Sequence, residues 1–450
     1  MKRLYHDDMY RFAEPQPSWW ETSAGDVRPQ AEPLVTDESC DVAIIGGGYT
    51  GLSAALHLGK RHGIEARVLE AGHIGWGASG RNAGFCGIGA TSLSLSRMLR
   101  KYGLEETRRF YRSQVEAVEL VRAVIDDEGI DAEIMGEEEL EIAHSKRAFE
   151  HLRRHADRQH DLLGLDTSVL PAEVFRERYF DATDNHGAVV QRPCFALHPM
   201  RYLLGLAGAA VRAGATLHSH SEVLEWRKEG DAHTLVTAGG RLRCRRVILA
   251  ANGFMPEHLH RGFYGRPLPM ISAIIVTRPL REDELAAQRW RTPNPAITSR
   301  HILNYFRLLP DNRFLFGGRG HSRGDGEGAA ANYVQLASEL GHLFPLWRDV
   351  PIEYRWHGLI CITMRLVPSI GCLQEDPSVF FAYGYHGNGV NTATWSGAQL
   401  AEWLASGRQR APQGVPMMMQ GLSARFPVAR LRLRYLQARL GVFRLQDAAG

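Results

Sequence analysis

The sequence predicts an α/β fold in which a parallel sheet is interrupted by a second, α+β domain with an antiparallel sheet. Three observations lead there. Residues 40–70, CDVAIIGGGYTGLSAALHLGKRHGIEARVLE, read as strand, glycine turn, helix, strand. Residues 379–405 repeat the strand, glycine turn, helix order with Val379–Tyr383 and Gly384-Tyr385-His386-Gly387-Asn388-Gly389. Between them, Met270–Thr277 and Arg313–Gly318 read as strands of a different sheet, joined by stretches rich in aromatics and proline.

In the first unit, Val42, Ala43, Ile44 and Ile45 form a short apolar run that stops at three glycines, as a buried parallel strand does at a tight turn. Gly46, Gly48 and Gly51 spell G-x-G-x-x-G, with Ala55 one helical turn further on. Gly46 permits the turn, Gly48 lets a pyrophosphate approach the backbone, and Gly51 with Ala55 lets the helix lie close to the sheet. The helix N-terminus then faces the phosphates. Glu70 ends the next strand, where an acidic side chain would grip a ribose. The unit is therefore Rossmann-like and dinucleotide-binding. By itself it does not separate FAD from NAD, because both present an ADP half to the same turn.

The remaining elements follow in order. The glycines between Gly72 and Gly89, set among Trp76, Arg81, Asn82 and Phe85, predict a long loop held close against something flat or charged. Apolar residues at Phe110, Val115, Val118, Val121 and Ile125 predict one amphipathic helix over Leu104–Asp126. Glu137–Ala143 alternates like a strand, and Lys146–Asp161 reads as a solvated helix. Pro171 opens a short helix, Pro199–Ala213 a longer one, and Ala215–His218 a strand. Thr234–Thr237, Gly239-Gly240 and Arg241–Cys244 read as a hairpin leading into a buried strand from Arg246 that turns at Asn252-Gly253. Arg319–Gly328 is expected as a loop and Asn332–Phe344 as a helix.

At 450 residues and 44% hydrophobic, the chain can hold two cores, and a net charge of +3 does not indicate a broad nucleic-acid surface. Six dispersed cysteines lack zinc spacing, so no metal site is expected and the thiols read as reduced, in a cytoplasmic protein. No run is long enough to span a bilayer. Residues 1–35 read as an extended surface arm anchored by Trp19 and Trp20, for which packing is favoured over a ligand role.

Taken together, these stretches resemble the FAD-dependent amino-acid and amine oxidoreductases of the D-amino-acid oxidase superfamily, whose members include glycine and sarcosine oxidases. Within it the likeness is to the gamma-glutamylputrescine type. CDVAIIGGGYTGLSAALHL at 40–58, IGWGASGRNAG at 74–84, VILAANGF at 247–254, YFRLLPDNRFLFGG at 305–318, YRWHGLICITMRLVPSIG at 354–371 and GYHGNGVNTATWSGAQLAEWL at 384–404 carry it. The resemblance implies a glutathione-reductase-type FAD-binding domain from residues 36–95, 195–258 and 355–408. It assigns 96–194 and 259–354 to a substrate domain, with an arm at 1–35 and a helical tail at 409–450.

Carried over by position, Gly46, Gly48, Tyr49, Thr50 and Gly51 would meet the pyrophosphate, and Glu70 with Ala71 the adenosine ribose. Ala78, Ser79, Gly80, Arg81 and Asn82 would run beside the pyrophosphate and ribityl chain. Val223 would bond adenine, Ala251, Asn252 and Gly253 would form a second FAD contact, and Gly387, Asn388, Gly389 and Val390 would lie at the pyrimidine edge of the flavin. There a helix N-terminus would favour the negative charge of reduction. Some sarcosine oxidases tether flavin through a cysteine, but that position falls on Gly358, with Cys361 out of register, so FAD is expected to be non-covalent. Relatives place an arginine for the substrate carboxylate where Leu309 stands; Arg307, on the same face as Tyr305, could substitute. His386 could touch substrate or merely cap its helix, and Tyr305 could line the pocket or the core. The Arg-rich tail could lie on an anionic membrane, although packing on its own domain is favoured.

The resemblance implies oxidation of a primary or secondary amine, such as a polyamine-type omega-amine, with dioxygen or another acceptor taking the electrons. Its rivals are a D-amino-acid or sarcosine-type enzyme using another acceptor, and an FAD-binding protein without turnover.

Overall fold

The computed structural model describes residues 3–26, 28–408 and 410–448. The expected arm and tail also include residues 1, 2, 27, 409, 449 and 450, which lie outside the described residues. The first sheet runs in the order Ser369–Cys372, Val379–Tyr383, Arg241–Leu249, Glu38–Ile45, Ala66–Leu69, Thr216–His218. Its last five strands are mutually parallel, which agrees with their unbroken apolar runs: Val42 to Ile44 and Val247 to Ile248 are wholly buried. Glu38–Ile45, Arg241–Leu249 and Val379–Tyr383 therefore deliver three turns to one edge of the sheet. Arg241–Leu249 is a single strand rather than a hairpin arm followed by a second strand. Its first half pairs with Ala232–Val236 and its second half with Val379–Tyr383. Glu225–Glu229, a further strand beyond the hairpin, has no apolar period to reveal it.

The second sheet has eight strands, in the order Ile352–Thr363, Pro267–Pro279, Arg313–Arg319, Tyr305–Leu308, Ala296–Thr298, Glu139–Ile142, Ala188–Arg192, Asp166–Leu170. It is antiparallel except where Ala296–Thr298 runs parallel to Glu139–Ile142. One face carries a wholly buried aromatic core, Phe180, Phe306, Phe314, Phe316, Phe344 and Trp347. The other face turns toward the first sheet.

Two helices differ in extent from the sequence expectation. The helix expected from Leu104 runs over Leu95–Glu128 with a break at Gly103, whose φ of 79° lets the chain change direction. The helix expected from Asn332 begins at Gly326, because the Asp325 carboxylate accepts from Gly328 N at 2.8 Å and caps it. Pro171 is the cap of Ala172–Arg178 rather than part of its first turn. Trp20 is buried and Trp19 half-buried, in a short helix, Trp19–Ser23, whose N-cap is Ser18. The tail helix Arg432–Ala448 buries Leu436 and Leu440 against Leu268 and Met270, as the packing reading expects.

Helices Tyr49–His62 and Gly389–Ser406 approach each other at Gly397, where a Cβ would lie 2.3 Å from Thr50 O and 2.8 Å from Ala54 N. Gly397→Val must push the helices apart, and overpacking of this kind costs about 1–3 kcal/mol. Gly441→Ala, in the tail helix with open space around it, gains about 0.5–1 kcal/mol. Denaturant unfolding of both variants checks the contrast; equal midpoints would contradict it.

Candidate active site

The glycine turn has the geometry its residues require. Gly46 adopts φ +110°, and a Cβ there would stand 2.8 Å from Ala250 O. A Cβ at Gly51 would lie 2.0 Å from Gly46 O, so this glycine closes the turn from behind and does not line the cavity. Gly80 plays the same part in the following loop, 2.1 Å from Gly75 O by the same measure. For both, the expected cofactor contact becomes a spacing role. Tyr49 N donates to Ser79 Oγ at 3.0 Å, which ties the turn to that loop. The Glu70 carboxylate accepts from Gly47 N at 2.7 Å and Gly72 N at 3.1 Å, yet burial outweighs these bonds and raises its pKa.

A cavity of about 500 Å³ extends from this turn. Gly46, Gly48, Tyr49, Thr50, Glu70, Ala71, Ala78, Ser79, Arg81, Asn82, Val223, Ala251, Asn252, Gly253, Gly387, Asn388, Gly389 and Val390 all line it. The three strand-end turns thus meet at one space. Thr50 Oγ1 and Tyr385 OH share a hydrogen bond of 2.6 Å, and Asn252 Oδ1 accepts from Gly384 N at 2.9 Å. Asn388 Nδ2 donates to Gly87 O at 2.8 Å, so the second helix start is fixed against the glycine loop. Both helix N-termini point positive partial charge at the same cavity. The lining fits FAD: bare glycine backbone at one helix start, a carboxylate beside it, and a second helix start at the far end.

The predicted substrate residues divide. Tyr305 lines the cavity; its ring lies across Gly317, where a Cβ would meet the ring at 2.1 Å, and its hydroxyl pairs with Ser272 Oγ at 2.9 Å. His386 also lines it, with φ 56°, its Nδ1 3.1 Å from Ser92 Oγ. Its side chain caps no helix, since the N-cap is Asn388. Burial lowers the His386 pKa to about 3. Arg307 does not line the cavity and is corrected as a substrate anchor. Its guanidinium is buried, donates to Leu197 O at 2.7 Å and stands 5.4 Å from the centre of the Trp20 ring. The strand face it shares with Tyr305 meets the N-terminal arm at that depth rather than the cavity. Leu309 is buried with it.

Sequence reasoning missed Phe12, Glu139, Met270, Ile297, Leu303 and Arg319, all of them lining residues. Arg81 stacks 4.0 Å over Trp76, and its Nη2 is buried without a partner. Gly358 and Cys361 line the wall; burial pushes the Cys361 thiol well up, so it is a poor nucleophile. Among the described residues no three His, Cys, Asp or Glu side chains group as a metal site, and no helix is long and apolar enough to cross a membrane.

Known proteins share this architecture. The crystal structure of glycine oxidase from Geobacillus kaustophilus superposes with a TM-score of 0.68 at 22% identity, over 85% of this chain and 98% of that one. That of L-proline dehydrogenase from P. horikoshii gives 0.69 at 20%, over 84% and 96%. In sequence, the gamma-glutamylputrescine oxidoreductase of Escherichia coli (strain K12) is 30% identical over 400 residues, 87% of this chain and 90% of that protein. The family described as DAO, FAD dependent oxidoreductase, matches residues 41–403. With the glycine turn, the second helix start and the cavity between them, this places the chain in the DAO family of FAD-dependent oxidoreductases, enzymes that act on amines and amino acids.

Proposed function

We propose that the protein oxidises a C–N bond of a primary or secondary amine, of the polyamine-type omega-amine class that includes gamma-glutamylputrescine, with non-covalent FAD and dioxygen. The observation that carries this reading is the strand Tyr305–Leu308, which presents an aromatic ring and no cation to the cavity. An α-amino acid would bring its carboxylate to the reacting carbon, and a buried charge without a partner there costs several kcal/mol. A long amine brings only a neutral amino end. Arg319, on the neighbouring strand Arg313–Arg319, also lines the cavity and would be available to an anionic group of the substrate. The relative from Escherichia coli supports the same class.

The chemistry that bound FAD supplies is acceptance of a hydride from the carbon bearing nitrogen, with the electron pair passed to dioxygen as hydrogen peroxide. The substrate is left as an imine, which water hydrolyses to an aldehyde and ammonia or a smaller amine. The chain's own tasks are positional and electrostatic. The turn at Gly46 to Gly48 and the Glu70 carboxylate would hold the nucleotide half, and the helix opening at Gly389 would offer N–H donors to the negative charge of a reduced flavin. Tyr305, Ile297 and Met270 give the amine end an apolar wall.

Three outcomes test these assignments. Glu70→Ala removes charge-assisted hydrogen bonds contributing about 1.5–3 kcal/mol, roughly ten- to a hundredfold in FAD affinity. Gly48→Val puts a side chain 2.8 Å from Ser79 Oγ, in the path of the phosphates. Both should purify short of flavin; full stoichiometry in both would refute the placement.

Next, His386 is neutral above about pH 3, so it adds no limb to a profile measured between pH 6 and 10. An ammonium has no lone pair to assist hydride loss, so flavin reduction should rise with pH until the bound amine is neutral. His386→Asn should leave that midpoint in place. A fall in rate with rising pH, or a midpoint moved by the substitution, would contradict the scheme.

Finally, in an anaerobic panel followed by loss of oxidised-flavin absorbance, gamma-glutamylputrescine and other omega-amines should exceed glycine, sarcosine and D-alanine at least tenfold in limiting reduction rate over Kd. The highest value from D-alanine or sarcosine would transfer the enzyme to the amino-acid class.

A further inference from the structure

The strand Glu139–Ile142 carries two carboxylates, with Glu138 just before it, and its two faces treat them oppositely. Glu138, on the face of Leu140 and Ile142, is fully partnered: Arg192 pairs with it, Tyr179 OH donates at 2.7 Å and Asn294 Nδ2 at 2.9 Å. Glu139 and Glu141 share the opposite face, and among the described residues neither carboxylate has a hydrogen bond or a cationic partner. Glu139 lines the cavity, with Oε2 3.3 Å from where a Cβ on Gly87 would stand; the missing side chain at Gly87 leaves its carboxyl room. Glu141 is aligned with Ile297, which is in turn aligned with Tyr305. The three therefore form one row across adjacent strands, and two of its members line the cavity.

Two half-buried carboxylates on one strand face with no cation beside them are unfavourable. Burial pushes each up to about 7, and Glu141 adds to the effect at Glu139. A cationic ligand group would remove the imbalance. We propose that Glu139, supported by Glu141, determines specificity by binding a second, non-reacting ammonium group of the amine substrate, so that dicationic amines are preferred to monocationic ones of equal length. This deepens the amine-oxidation reading and rests on it for the identity of the reacting group.

Putrescine and n-butylamine test it, since they share a four-carbon chain and differ by one amino group. With the holoenzyme under anaerobic conditions, the ratio of flavin-reduction efficiency (limiting reduction rate over Kd) for putrescine over n-butylamine should fall at least about tenfold in Glu139→Gln. The loss should appear in Kd for putrescine, while the reduction efficiency with n-butylamine and the flavin spectrum stay within about twofold of wild type. An unchanged ratio overturns the proposal. So does an equal loss for both amines or an altered flavin spectrum, which would make Glu139 a flavin contact or a structural group. If Glu139→Gln does not yield folded holoenzyme, Glu141→Gln is judged by the same ratio. If neither amine bleaches wild-type flavin, the oxidation reading is judged on the wider amine panel alone. Equilibrium dialysis of putrescine then decides the anchor: tenfold weaker binding to Glu139→Gln upholds it, and equal binding to both proteins overturns it.

Discussion

The contact between Gly397 and the carbonyl of Thr50 sets how closely two helices lie, and the cavity depends on that spacing. Each helix follows a parallel strand, and the strands Glu38–Ile45 and Val379–Tyr383 flank Arg241–Leu249 in one sheet. Because the strands are parallel, both helices start at the same sheet edge; the first turn of Tyr49–His62 lies against the middle of Gly389–Ser406, and Thr50 shares a hydrogen bond with Tyr385, just ahead of the second helix. A larger residue at 397 would spread the helix starts and blunt the combined field of two positive termini. Small residues here serve distance as much as conformation.

The second sheet works by separating its faces. On one, aromatic rings interlock, with Phe306 and Phe316 stacked 5.8 Å apart in register. That rigid side lets the other face carry features that cost stability: a tyrosine laid over a glycine, two carboxylates without counter-charge, and the edge of Arg319. A soft core could not hold them in place. Two indoles stiffen the opposing loop, Trp20 Nε1 donating to Asn82 O and Trp356 Nε1 to Arg81 O, each at 2.8 Å.

Most of the nucleotide half was legible in the sequence because its signals are local. A glycine turn between an apolar strand and a helix announces its geometry in about six residues, and each expected lining position in Gly387 to Val390 lies where the motif puts it. The substrate half was less legible because its chemistry depends on which side of a strand meets what. Arg307 and Tyr305 share a face, yet one meets the arm and the other the cavity; alternation alone gives no depth. Glu139 and Glu141 alternate with Leu140 and Ile142 just as solvent-facing residues do, and only the strand's place inside the sheet shows that their face is enclosed. The break at Gly103 and the capped start at Gly326 were obscured for a different reason, since a glycine within a helical stretch reads equally as an end or as a hinge.

The N-terminal arm extends these points to the boundaries of the fold. Phe12 lines the cavity and packs on Trp76 at 4.6 Å, and Trp20 holds the loop beside it, but both precede residue 41, where the family match begins. Part of the cavity wall is therefore built from chain that a comparison of the shared core leaves out. Relatives with equivalent turns and strands but different leaders would present differently shaped entrances to the same chemistry. Grafting or trimming the leader would accordingly alter molecular recognition without touching a single residue of the common fold.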